Sequence, residues 1–415
     1  MVLRILAIGD IANNIPQIRK FVKKSKIFLI NFPIKGVDHF VYHSDNIEFF
    51  DSLKISRQVK KINEIKNDFD ICIAMSWAGA RIAYLADLNY IMYFVGGDIM
   101  TPPFEKNPRL PYLEKPLHNL NIFERKFYKN VFNTAVGVVA ITDEYYNQLK
   151  KYRDDATRLD RILIDPSVFN EYVEPIKREK TKFTFFSPQR NGPEKGMDVI
   201  WKALPMCKSD FEVLMIDWFD DRTEEERRII KKLLKETPRQ VKFIPLIKWE
   251  EMPRYYRFAD AVLGQMRAGI QGSIEREAVL CKRATIHYSD PTKIIYLDGK
   301  GINPPYLPHS QDPKELSETI DQVVESKEFR EKLLEEEYKF VIDQCDTEKA
   351  GKDWDNLFEK FFIKYKTIKH NSSPVKTKIL NIIAFIVEEI IYSRTMKEKN
   401  IRAWGKEEYE RLTRD

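Results

Sequence analysis

Cysteine and histidine are scarce in this chain, with four of the one and six of the other among 415 residues. Cys72, Cys207, Cys281 and Cys345 stand far apart, with no Cys-x-x-Cys pair and no nearby pair of histidines. That spacing excludes a zinc ribbon or a disulfide framework and reads as buried thiols in a reducing compartment. No structural metal is expected. Long apolar runs are also missing. The start passes from a short apolar strand into Gly9-Asp10, without the long apolar region and small-residue cleavage site of a secretion signal. Near the end, residues 379–391 are interrupted by Asn381 and by Glu388-Glu389 and fall short of the ~20 residues that span a bilayer. A cytoplasmic protein without a transmembrane anchor is the expectation. Nor does one charge dominate. Lys and Arg number 69 against 63 Asp and Glu, a net of +6 that argues against nucleic acid as a partner.

What the chain has is material for two cores. A length of 415 residues suits two domains of roughly 150 to 200 residues each, with a cleft between them. Apolar residues at 43% fill the interiors, and 32% charged residues cover a soluble exterior. Short apolar runs alternate with longer amphipathic segments in the βαβα order of a parallel sheet covered by helices. Residues 3–8, 27–30, 70–75, 90–95 and 135–141 read as the strands of a first Rossmann-like lobe. After the charged stretch 174–182, strands at 183–187, 211–216, 241–245, 261–265 and 285–288 read as a second. Amphipathic helices follow at 314–325, 328–339 and 354–365, the last with Trp354, Leu357, Phe358, Phe361 and Phe362 on one face. The expected division is 1–173 and 174–345 for the two lobes, 346–370 for a helix crossing back to the first, and 371–415 for an amphipathic helix with a charged tail.

Two segments carry chemistry. In Ser187-Pro188-Gln189-Arg190-Asn191-Gly192-Pro193-Glu194-Lys195-Gly196 a strand ends, a Gly/Pro loop follows and Lys195 opens a helix. Arg190 and Lys195 then converge above the C-terminal edge of the sheet, where two cations near a helix start suit a diphosphate. The segment Gly264-Gln265-Met266-Arg267-Ala268-Gly269-Ile270-Gln271-Gly272-Ser273 repeats the strand, glycine loop and helix order, so the amides near Gly272 and Ser273 point the same way. One turn into that helix, Glu277 is placed to accept hydrogen bonds from sugar hydroxyls such as a ribose diol. Glu275 is an equal claimant for the plainer duty of a first-turn acid on a helix dipole. In the first lobe Asp10, Ser76-Trp77 and Asp98 follow the first, third and fourth strands, as acceptor-binding residues or as caps and turns. His39, His43 and His118 are further candidates only through the rarity of histidine.

The segment Arg190 to Gly196 resembles the R-x4-K-G motif of glycosyltransferase group 1 (family 4). Residues 264–286 are similar to that group's donor loop and its "EA" helix-strand unit. Val95-Gly96-Gly97-Asp98, Asp165 to Phe169 and the Pro253 to Asp260 helix resemble further landmarks in the same order, over about the first 365 residues. The resemblance implies a GT-B fold, in which two Rossmann-like domains face each other across a cleft. It implies a hexosyltransferase-like enzyme that takes a sugar from a nucleotide-sugar to a glycan, lipid-linked or cell-surface polysaccharide acceptor, with retention. Arg190 and Lys195 would neutralise the donor diphosphate without a metal or other cofactor, with Gly196, Gln265, Gly269, Gly272, Ser273 and Glu277 around the donor and Asp98 joining the catalytic group. Two positions depart from the pattern. Gly269 stands where the group has the first Glu of its E-x7-E motif, and Val95 where it often has His. The alternatives are a sugar-nucleotide epimerase or a phosphorylase on the same plan, or a binder of nucleotide-sugars without catalysis.

The clusters Arg19-Lys20, Lys23-Lys24 and Lys26, Lys60-Lys61, and Arg125-Lys126-Lys129 add a peripheral contact with an anionic membrane as an expectation, set against ordinary solvated helix faces. The segment 375–391, with Lys376 and Lys378 ahead of its apolar run, is expected to pack on the first lobe, with a membrane contact or a dimer as the other fates.

Overall fold

The computed structural model describes residues 2–10, 13–33, 47–106, 120–141, 143–219, 224–367, 374–388 and 397–413. The chain forms two compact units, residues 1–160 with 348–415, and residues 161–347.

The first unit is built on a parallel seven-stranded sheet. Its strands are β1 (Leu3–Ile8), β2 (Ser25–Asn31), β3 (Ile47–Phe49), β4 (Ile71–Met75), β5 (Tyr90–Phe94), β6 (Gly137–Ala140) and β7 (Thr157–Arg158), in the order β3-β2-β1-β4-β5-β6-β7. Helices α1 (Asn14–Phe21), α2 (Ile55–Ile65), α3 (Ser76–Leu85), α4 (Ile122–Thr134) and α5 (Asp143–Lys150) connect them. Every residue of the central strands β4, β5 and β6 is buried because both faces of a parallel sheet are covered. Leu6, Ile8, Cys72, Ala74, Met92 and Phe94 join a core with α2, α3 and α4. The alternate residues of the same strands face the opposite layer. There Tyr93 meets Trp354 edge-on at 4.9 Å.

The second unit has a five-stranded parallel sheet of β8 (Phe183–Ser187), β9 (Phe211–Ile216), β10 (Val241–Ile244), β11 (Ala261–Leu263) and β12 (Ala284–Ile286), in the order β10-β9-β8-β11-β12. A small antiparallel hairpin, β13 (Ile295–Leu297) with β14 (Lys300–Ile302), follows. The helices are α6 (Met197–Ala203), α7 (Glu224–Lys235), α8 (Met252–Phe258), α9 (Ser273–Leu280), α10 (Pro313–Glu325) and α11 (Lys327–Gln344). The chain then returns to the first unit with α12 (Thr347–Thr367), α13 (Pro374–Val387), α14 (Lys397–Trp404) and α15 (Lys406–Thr413).

Three differences from the sequence reading stand out. Residues 161–173, expected with the first lobe, belong to the second unit, because Ile164 and Phe169 are buried in its core and the Ile162 amide donates to the Gln344 carbonyl at 3.1 Å. Helix α13 packs on the first unit as expected, but the charged tail after it is helical too and joins the same core. Leu380, Ala384 and Val387 of α13 and Tyr409 and Leu412 of α15 are part of the first unit's core, and the Leu412 carbonyl accepts from the Leu53 amide and the Ser52 hydroxyl. The short strands β3, β7, β13 and β14 escaped notice, since two or three residues carry no periodicity.

The return of α12 is anchored by a buried carboxylate. Asp355 accepts the amides of Lys23 and Lys24 at 2.7 and 3.0 Å and the Ser25 hydroxyl at 2.9 Å, at the turn between α1 and β2. Replacing it with alanine strands three donors, at a cost of about 1 to 3 kcal/mol for each left unsatisfied. Asp355→Ala is expected to lower the urea midpoint of the first unit clearly while leaving the second unit's transition in place; an unchanged midpoint would contradict the anchor.

Candidate functional site

The order of the second sheet locates the site. From β8 the chain winds outward through β9 to β10, then returns to the other side of β8 for β11 and β12. Where winding reverses between two parallel neighbours, the loops at their C-terminal ends leave in opposite directions and open a crevice. The two loops at that point, after β8 and after β11, are the two segments singled out by sequence.

They are locked together. The Met266 amide donates to the Lys195 carbonyl at 2.9 Å. Gly196 has φ +76°, and a Cβ there would lie 2.7 Å from the Met266 Cβ and 2.8 Å from its carbonyl carbon. Only glycine lets the first loop turn left-handed and pass this close to the second. Around that contact Gln189 Nε2 donates to the Gly264 carbonyl at 3.2 Å, and Arg267 reaches Asp198 at 2.5 Å and the Pro193 carbonyl at 3.3 Å. Gln265 braces its own loop, with Nε2 donating to the Ile270 carbonyl at 2.9 Å and its carbonyl accepting from the Tyr288 amide at 3.0 Å.

The cations sit on this frame. The Arg190 guanidinium lies 5.7 Å from the centre of the Trp218 ring, and its Nε is 3.5 Å from Oε1 of Glu194, a carboxylate that is itself buried. Lys195, five residues on, is partly exposed and contributes its carbonyl to the lock. Glu194 and Trp218 went unnoticed in the sequence. The Arg-x3-Glu spacing was a usable signal for the first, while Trp218 arrives from the end of β9 and leaves none.

Gly269, where the resemblance places a carboxylate, has φ +68°, and a Cβ would fall 2.7 Å from the Asp290 Cβ. The backbone at this point is shaped for glycine. Asp290 instead donates its amide to the Gly269 carbonyl at 3.1 Å, and Thr292 holds its carboxylate below the usual range.

Helix α9 begins at the second loop. Ser273 is exposed at its first turn, and the Gly272 amide donates to Glu275 Oε2 at 2.6 Å, so Glu275 is the capping acid that the plainer reading described. Glu277 is turned inward. Its Oε2 accepts the Tyr256 hydroxyl at 2.9 Å, and burial, reinforced by the nearby Glu275, pushes its pKa up to about 8 against the Tyr256 bond that opposes it. His287, one residue past β12, is fully buried edge-on to Tyr306 at 4.8 Å; burial lowers its pKa and keeps the ring neutral.

The first-unit candidates divide. The Asp10 carboxylate accepts the amides of Asn14 and Ile15 at 3.3 and 2.9 Å and caps α1, the plainer of the two duties its sequence position suggests. Trp77 is built into the core. Its ring packs among Phe94, Phe104, Tyr128 and Phe132, and its Nε1 donates to the Asp98 carbonyl at 2.9 Å. Ser76 and Asp98 do come together. Ser76 opens α3 with φ +54°, and burial raises the Asp98 pKa to about 6, with the Ser76 hydroxyl and the amides of Asp98, Ile99 and Gly96 holding it from rising further. A carboxyl poised near neutrality is a recurrent mark of a working site. His39, His43 and His118 lie outside the described residues.

Glu277 generates a pH prediction. Its folded pKa of about 8 lies above the unfolded value, so the folded state keeps a proton that the unfolded state gives up. Stability is fully present below about pH 4.5 and falls as the pH rises towards 8, by about 1.4 kcal/mol per unit at most. Glu277→Gln should flatten this part of the pH profile of the melting temperature; an unaltered slope between pH 5 and 8 would contradict the assignment.

Residues 168–340 match the family described as Glycosyl transferases group 1. Among solved structures, Anabaena HepE in complex with UDP-glucose is similar over 86% of this chain and 100% of its own, at TM-score 0.62 and 14% identity. Sucrose-phosphate synthase from Thermosynechococcus elongatus is similar over 87% of this chain and 99% of its own, at TM-score 0.63 and 12% identity. TarM from S. aureus gives TM-score 0.51 and 15% identity over 73% of this chain and 58% of its own. No curated protein matches the chain by sequence. Residues 168–340 are thus similar to the glycosyl transferases group 1, and the chain shares the GT-B fold of these structures.

Proposed function

We propose that this glycosyltransferase takes the sugar of a nucleotide-sugar donor, bound at the locked loops of the second unit, to a glycan, lipid-linked or cell-surface polysaccharide acceptor. The observation that carries the reading is the placement of Arg190 and Lys195 on the first of two interlocked loops at the strand-order reversal, the second of which leads into α9. Bond cleavage between sugar and diphosphate leaves negative charge on the diphosphate, and preorganised cations stabilise that charge more as it develops than before. In this reading Arg190 and Lys195 do so without a divalent metal. The transferred sugar keeps its anomeric configuration, because the departing diphosphate takes the acceptor proton on the face it leaves.

The remaining roles follow as parts of the same proposal. Gly196, Gln265, Gly269, Gly272 and Ser273 shape the donor loop, and Glu277 stands behind it with Tyr256. Ser76 and Asp98 of the first unit hold the acceptor hydroxyl. HepE has been solved with UDP-glucose, and TarM with UDP and alpha-GlcNAc-glycerol, which supports a nucleotide-sugar of this class here. A lipid-linked acceptor brings the enzyme to the inner face of a membrane as a peripheral protein of the cytoplasm.

Removing a charge that acts mainly on the leaving group lowers turnover more than ground-state binding, by about 10²–10³ for one preorganised donor. Arg190→Ala and Lys195→Ala are each expected to reduce transfer of label from nucleotide-sugars into lipid extract by that order, with circular dichroism unchanged. Normal rates in both variants would contradict the site. Donor turnover with no acceptor would point to an epimerase, and nucleoside diphosphate binding without release from any donor to a binder.

A further inference from the structure

Helix α13 has two faces. Leu380, Ala384 and Val387 are buried in the first unit's core, with Ile383 packed against it. Val375, Ile379, Ile382, Phe385 and Ile386 are 46% to 64% exposed. At 3.6 residues per turn these five fall within an arc of roughly 120°, beside the buried arc rather than scattered around the helix. Isolated exposed apolar residues are ordinary, but a cluster of five large ones on one helix face marks a surface that meets something other than water.

Its surroundings hold more cations than acids, Glu388 just past α13 being tied to the Ser56 amide of α2 at 3.3 Å. In sequence α13 carries Lys376 and Lys378 and no acid, and α2, against which it packs, carries Arg57, Lys60 and Lys61 against Glu64 alone. Lys378 and Lys60 are exposed, and Lys61 is paired with Glu48 at 2.6 Å. The α1 cluster, by contrast, lies against α12. Lys23 and Lys24 are 3.7 and 3.1 Å from Glu348 and Glu359, and the Asp355 carboxylate takes their amides. Helix α12 packs through Trp354 on the Tyr93 face of the sheet, opposite the layer that holds α2 and α13.

We infer that the outer face of α13, with the cations of α2, docks the first unit on an anionic lipid bilayer, the helix lying in the plane of the interface. Apolar side chains enter the acyl boundary while lysines meet anionic headgroups, the combination that holds interfacial helices. With 14 residues α13 is too short to cross a bilayer, and among the described residues no helix is long and apolar enough to do so. The inference deepens the membrane part of the proposed function, rests on that reading for its purpose, and stands on the surface alone for its geometry.

The test is co-sedimentation of the full chain with vesicles of phosphatidylcholine alone and with 30% phosphatidylglycerol, ~0.1 M salt. Binding is expected to the anionic vesicles and to fall about tenfold or more in Ile379→Ser/Ile382→Ser/Phe385→Ser, whose positions are exposed and leave the core intact. Lys60→Glu/Lys378→Glu should lower it about fivefold for each cation lost. No binding by the wild type, or equal binding by the triple variant, overturns the inference. A wild-type dimer that the triple variant converts to monomer also overturns it and assigns the face to a second copy. Transfer to a soluble acceptor is measured alongside, so that a protein that transfers sugar but ignores vesicles refutes the docking surface and leaves the transferase reading standing.

Discussion

The hydrogen bond from the Met266 amide to the Lys195 carbonyl is the contact on which the functional part of this molecule depends. It joins two loops whose strands are neighbours but whose sequences are some 70 residues apart. It forms only because Gly196 turns left-handed beneath it. The bonds from Gln189 to Gly264 and from Arg267 to Asp198 and the Pro193 carbonyl reinforce it from either side. With it, the cations and the helix start share one frame, which is what preorganisation requires: the charges are in place before the reaction needs them.

The same frame explains the residues that do not fit a simple expectation. Gly269 is a requirement of the loop's backbone, with Asp290 filling the space a side chain would need. Glu277 is a buried acid that shares a proton-rich contact with Tyr256, while the exposed end of α9 is left to Ser273 and to an amide capped by Glu275. A side chain at position 269 is therefore excluded by the backbone and by Asp290.

Much of this was legible in the sequence, and the reason is locality. Strand, loop and helix starts at 183–197 and 261–273 are set by residues within a few positions of one another, so both loops and both cations could be found from composition and spacing. The two parallel α/β lobes followed from the alternation of short apolar runs with amphipathic segments. What could not be read depended on distant partners. Asp10 and Trp77 follow strands as site residues do, yet the first is consumed by the amides of α1 and the second by four aromatic rings. The partners of Arg190 differ in the same way: Glu194 is four residues off and could have been read, whereas Trp218 is brought in from the next strand. The partners of Lys23 and Lys24 on α12, Glu348, Glu359 and Asp355, likewise come from more than 320 residues downstream.

The most direct measurement is thermal unfolding of the full chain with nucleoside diphosphates, the matching nucleosides and inorganic phosphate, all in excess EDTA. A ligand of the folded state at about 100 times its Kd stabilises by about 2.7 kcal/mol. The account predicts a rise of a few degrees with one nucleoside diphosphate and little with its nucleoside. Equal shifts from nucleoside and diphosphate, or no shift from any diphosphate, would contradict the claim that the locked loops are a diphosphate site.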